Sequence, residues 1–133
     1  MRLLRVSRAS IRRFAGGDFL AVIAFVLVGE FSHGVRPWTV PVMVTETTAT
    51  FLVGWAVVAP LAWAYQPSNR SSTRGAVGTA LVAWAGAAAV ANLLRSTSLV
   101  HGNASLSFYV VSVLAGGAIV GIWRFLRIRT TKN

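Results

Sequence analysis

Four long apolar stretches, at 17–34, 40–65, 76–95 and 106–126, fill most of this chain and are joined by short polar connections. Each approaches the roughly 20 residues that a helix needs to cross the hydrocarbon core of a bilayer. Inside hydrocarbon a backbone must satisfy its own N–H and C=O groups, and a helix does so within one segment. The pattern therefore predicts an all-α fold: a polytopic membrane four-helix bundle with short loops, forming a single integral membrane domain over 1–133. Composition agrees, since 55% of residues are hydrophobic and only 12% are charged, outside the range of ordinary soluble domains.

The two signs of charge are distributed in opposite ways. Thirteen cations stand against three carboxylates, for a net charge of +10. Arg2, Arg5, Arg8, Arg12 and Arg13 precede the first stretch, Arg70 and Arg74 lie in the 66–75 linker, and Arg124, Arg127, Arg129 and Lys132 close the chain. Only Arg36 and Arg95 fall on the other two connections. Flanking cations of this kind are topology signals, and they place both termini in the cytoplasm of a multi-pass plasma-membrane protein. A nucleic-acid partner would require a basic face on a folded domain, which this arrangement does not offer. With no cysteine there is no disulfide, thiolate metal site or cysteine nucleophile. The first stretch has the basic start of a signal peptide, but Asp18 opens it and Glu30 and His33 occupy the cleavage region, so a retained helix is expected.

Local features refine the helices. Thr39 and Pro41 mark the start of the second, and Pro60 is expected to bend its cytoplasmic half by removing a hydrogen bond. Trp38 at one end, and Trp63, Tyr65 and Trp123 at the other, are expected to form aromatic belts. The 66–75 linker reads as a water-exposed turn. Ala83, Ala87 and Ala91 recur every four residues in the third stretch, and Gly117 and Gly121 form a G-x-x-x-G in the fourth. Such spacings let helices approach closely, here within one bundle rather than between copies. His33-Gly34 and His101-Gly102 follow the first and third stretches, and Trp55 and Trp123 share one offset from them, a faint echo of duplicated hairpins.

The carboxylates point to the candidate site, because ionisable residues in hydrocarbon are costly and tend to pair or to work. With the first helix running outward, Glu30 and His33 lie three apart on one face of its outer end. Glu46 with Thr45, Thr47, Thr48 and Thr50 opens the second helix, and Asn92 and Arg95 close the third at the same level, with His101 beyond. Glu30, His33, Glu46, Asn92 and Arg95 thus form a candidate polar pocket, with a Glu30–Arg95 or Glu46–Arg95 ion pair expected to hold it. The plainer readings are that Arg95 snorkels to headgroups and that Glu46 and the threonines satisfy a helix start. Asp18 lies about 18 Å of helix from Glu30. It reads as a cap on the first helix, with Arg124 as its ion-pair partner.

These residues resemble an uncharacterised family of small four-span prokaryotic membrane proteins, the domain of unknown function 3054 family, of haloarchaeal or actinobacterial type. The likeness is carried by Gly17-Asp18, Gly29-Glu30-Phe31-Ser32-His33-Gly34, Thr50-Phe51-Leu52-Val53-Gly54-Trp55, Leu93-Leu94-Arg95 and Trp123-Arg124, and it covers nearly the whole chain. Where the family pattern often has a proline before Phe51, this chain has Thr50. The resemblance implies no known activity and transfers no catalytic residue.

Three function classes follow. One is a non-catalytic membrane subunit or assembly factor, working beside a membrane partner or further copies of itself. The second is a small ion- or proton-coupled transporter using the outer polar cluster. An enzyme is the weakest reading: H-E-x-x-H and G-x-S-x-G are absent from the sequence, and the single E-x-x-H of Glu30 and His33 lacks the further carboxylates of di-iron bundles. No cofactor or metal is expected, and the bilayer itself is the partner that composition demands.

Overall fold

A computed structural model describes residues 5–98 and 105–131. They form four helices, α1 (Arg8–Ser32), α2 (Pro41–Leu61), α3 (Thr73–Arg95) and α4 (Leu106–Thr131), with one short 3₁₀ turn at Pro67–Arg70. No strand occurs among the described residues. The helices hold 25, 21, 23 and 26 residues, lengths of about 32 to 39 Å at the helical rise, against a hydrocarbon core of about 30 Å. All four are long and apolar enough to cross a membrane. Their outward faces carry exposed Leu20, Val42, Leu93 and Leu114, surfaces that lipid rather than water would cover. The chain is a multi-pass membrane protein.

Helix ends depart from the apolar edges. α1 begins nine residues before the expected 17, because Ser7 caps it by accepting from the Ser10 N–H at 3.4 Å. Its first turns are pinned to the α2–α3 connection. Ser7 N–H donates to Tyr65 O (2.9 Å), Ser10 Oγ to Gln66 O (3.0 Å) and Arg13 Nη1 to Arg70 O (2.8 Å). At its other end Gly34, at φ 75°, closes a Schellman turn in which Val35 N–H reaches Glu30 O and Gly34 N–H reaches Phe31 O. That left-handed position suits glycine.

α2 ends the same way with a tryptophan in the glycine position. Trp63 has φ 62°, while Ala64 N–H donates to Ala59 O and Trp63 N–H to Pro60 O. Pro60 sits in the final turn of α2, and the left-handed Trp63 closes the helix. Of the four residues after Leu61, expected to continue the span to 65, Ala64 and Tyr65 turn inward while Trp63 stays exposed. The linker that follows is also not simply water-exposed. Asn69 is fully buried and donates from Nδ2 to Trp63 O, Ala64 O and Thr79 Oγ1, each within 3.0 Å. Carbonyls left open by the end of α2 need such a donor in a dry interior. Ser72 then caps α3, and Ser105 accepts from Phe108 N–H at the start of α4.

The four helices form a ring in which each touches its sequence neighbours and α1 closes against α4. α3 meets α2 and α4 most closely through fully buried Ala76, Ala80, Ala83, Ala87 and Ala91. Gly54 of α2 rests on the Ala87 backbone, and a Cβ there would lie 2.5 Å from its carbonyl oxygen. Gly117 and Gly121 face Leu81 and Val77 of α3, so the G-x-x-x-G serves this bundle. Between the ends lies an aromatic layer. Phe25 meets Phe51 and Trp84 edge-on, each at 5.0 Å, and Phe51 stacks on Trp84 at 5.4 Å. Trp84 fixes α3 to α4 by donating Nε1–H to Ser112 O at 2.8 Å.

Candidate functional site

Two polar clusters lie on opposite sides of the aromatic layer, separated along α1 by about 18 Å. At the end where α1 begins and α4 finishes, Asp18 and Arg124 are 1% and 0% exposed and meet in a fork-to-fork ion pair. Arg124 donates from Nε to Asp18 Oδ1 (2.9 Å) and from Nη2 to Oδ2 (2.7 Å). Trp123 Nε1–H adds a second bond to Oδ1 (3.0 Å), and the Tyr65 hydroxyl a second to Oδ2 (2.7 Å). Tyr65 in turn accepts from Trp55 Nε1–H at 2.9 Å. Arg124 Nη1 closes the network on Ala64 O (2.9 Å), and the guanidinium lies over the Phe14 and Tyr65 rings at 4.2 and 5.3 Å. Each carboxylate oxygen thus accepts two bonds, one of them charge-assisted.

Asp18 is not a helix cap. It is the eleventh residue of α1, a full three turns beyond Ser7, because the arginine-rich turns before the apolar stretch are themselves helical. Tyr65 and Trp123 also leave the aromatic belt assigned to them and turn inward to Asp18, while Trp63 stays exposed beneath Arg5 and Trp38 beside Arg36. Gly17 makes room for this: a Cβ there would fall within the Trp123 ring. The partners Tyr65, Trp55 and the Ala64 carbonyl escaped the sequence reading. The one available signal was the shared offset of Trp55 and Trp123, both of which feed this cluster.

At the opposite end a cavity of about 330 Å³ is walled by α1 and α4 and floored by Phe25, Phe51 and Ile119. Its polar lining includes Glu30, Ser32, His33, Thr47, Arg95 and Ser112. Glu30, His33 and Arg95 of the candidate pocket therefore share one space. Arg95 turns inward from the last turn of α3. It donates Nη1–H to Thr47 Oγ1 at 3.1 Å and lies 4.4 Å above the Phe108 ring, and its Nε is buried without a hydrogen-bond partner. Glu30 lines the same cavity.

The expected ion pair is not formed. Arg95 meets Thr47 and the Phe108 ring instead of a carboxylate. Buried Thr47 takes the guanidinium, and Glu46, one residue earlier, is rotated about 100° around α2. Glu46 and Asn92 do not line the cavity, and Asn92 Oδ1 is buried without a partner. The threonines form no joint site either. Thr45, Thr47, Thr48 and Thr50 all bond back to carbonyls of their own helix, as is common for hydroxyls in apolar helices. Val40 caps α2 without a side-chain bond, so Glu46 is no cap. His101 and Gly102 lie outside the described residues. No cluster of three His, Asp or Glu side chains suited to a metal ion occurs among the described residues.

An aromatic relay joins the clusters. From Arg95 it passes through Phe108, Phe51, Trp84 and Trp55, with ring centroids 5.4 to 6.5 Å apart, to Tyr65 and Asp18. Comparison with curated proteins and with solved structures finds no match. Residues 15–127 match the family described as protein of unknown function (DUF3054), and the chain belongs to that family.

Proposed function

We propose that this protein is a non-catalytic membrane subunit or accessory factor whose working surface is the dead-end cleft of Glu30, His33 and Arg95. The observation that carries this reading is the aromatic floor. Phe25 and Phe51 end the cavity, Trp84 lies behind them fully buried, and beyond it Asp18 and Arg124 saturate one another. A conduit would need polar groups across the midplane, and alternating access would need two lobes that move against each other; four helices in one closed ring supply neither. Such a factor would act beside a membrane partner or further copies of itself. The cation distribution supports a plasma-membrane setting with cytoplasmic termini, so that the cleft faces outward.

A small ion- or proton-coupled transporter is the second reading, favoured by three ionisable side chains in one open cavity. Reconstitution into sealed vesicles with an entrapped pH dye separates the two. Under an imposed potential the accessory reading expects proton flux equal to that of empty vesicles. Flux above that level, lowered by Glu30→Gln, overturns it.

A further inference from the structure

The cleft has three properties that together define an occupant. Its walls are apolar, and Val28 of α1 and Val111 of α4, both lining it, are each 60% exposed. It therefore opens sideways between α1 and α4, toward the acyl chains of the bilayer. Its length along α4, from Phe108 to Ile119, is about 16 Å at the helical rise, close to the ~15 Å of one leaflet's hydrocarbon. Its volume of about 330 Å³ lies at the low end for ligand sites, room for one chain and not two.

The third property is charge. Arg95 and Glu30 line the cleft near the helix ends, at headgroup depth, with no hydrogen bond between them. Arg95 retains a buried Nε–H without an acceptor, and a buried donor of this kind favours an acceptor that reaches it. A guanidinium suits a phosphate, and a carboxylate suits an ammonium.

We propose that the cleft between α1 and α4 is a lipid site that takes one acyl chain of a phospholipid bearing a primary ammonium, with the phosphate at Arg95 and the ammonium at Glu30. The second chain stays in the bilayer. The proposal rests on the dead-end reading only for its floor. Flux tests that reading and lipid retention tests this one, so either can fail alone.

The test is native mass spectrometry of the full chain released from nanodiscs of equal parts phosphatidylethanolamine, phosphatidylcholine and phosphatidylglycerol. The expected result is one retained lipid per chain, with phosphatidylethanolamine enriched. Arg95→Gln should lower retention of all three about tenfold, the scale of one lost charge-assisted hydrogen bond. Glu30→Gln should abolish the preference for phosphatidylethanolamine while a lipid is still retained. Ala115→Trp fills the chain path without touching either charge and should also empty the site; circular dichroism checks that each variant is folded. Equal retention in native protein, Arg95→Gln and Ala115→Trp would mark the lipid as merely annular and overturn the proposal. So would absence of retained lipid, or binding of chain-free glycerophosphoethanolamine as tight as that of the lipid.

Discussion

Asp18 and Arg124 form the costliest arrangement in the molecule and the best satisfied. Their attraction repays desolvation only because Tyr65, Trp123 and the Ala64 carbonyl occupy the remaining bonding positions. Removing one partner of such a pair leaves a bare buried charge, at a cost of about 3–5 kcal/mol, whereas replacing both by apolar groups is often neutral. Asp18→Leu should therefore lower the thermal unfolding midpoint sharply in detergent, and Asp18→Leu with Arg124→Met should recover part of the loss, since Tyr65, Trp123 and the Ala64 carbonyl then lose their partners. A single variant that melts with the native protein would show that the pair contributes nothing. The pairing of Asp18 with Arg124 could be anticipated from two opposite charges at the same end of neighbouring helices. Its supporting residues could not: Tyr65 and Trp123 stand 47 and 105 positions from Asp18, and an aromatic near a span end reads equally as an interfacial anchor. The same ambiguity hid the partners of Arg95. Sequence marks a cation at a helix end, but rotation about the axis decides whether it meets Glu46, Thr47 or lipid.

At the scale of the helices, existence was legible and ends were not. Hydropathy reports where lipid begins, and the helices do not stop there. α1 runs on through Arg12 and Arg13 because its cap and three hydrogen bonds to the α2–α3 connection hold it. α2 stops short because Trp63 accepts a left-handed conformation. The small-residue stripes were legible too, since close approach leaves only glycine and alanine as tenants. Two glycines make this testable. Gly54→Ala would drive a methyl into the Ala87 carbonyl and force α2 from α3, costing about 1–3 kcal/mol as overpacking does. Gly78→Ala in α3 meets nothing within 4 Å, so it should gain about 0.5–1 kcal/mol from helix propensity alone. Chemical unfolding followed by tryptophan fluorescence would rank the pair; equal stabilities would mean that the α2–α3 contact is looser than the geometry requires.

For the molecule as a whole, the ends of the bundle differ in charge as well as in construction. Among the described residues nine cations lie at the end where α1 begins, α4 finishes and the 66–75 linker turns, against Arg36 and Arg95 at the other. During insertion, cations near a span are retained on the cytoplasmic side, so the closed Asp18 end should face inward and the open Arg95 cleft outward. The chain has no cysteine, which makes the prediction simple to check. A single cysteine at exposed Ser71, beside the 3₁₀ turn, and another at exposed Thr39, between α1 and α2, report opposite sides. In intact cells a membrane-impermeant maleimide should label Thr39→Cys and spare Ser71→Cys until the cells are permeabilised. The reverse pattern would invert the molecule and turn the cleft toward the inner leaflet. Labelling of both in intact cells would break the two-sided arrangement on which the positive-inside argument depends. The orientation also fixes which lipids the cleft meets, since an outward cleft opens on the outer leaflet from Phe108 down to Ile119.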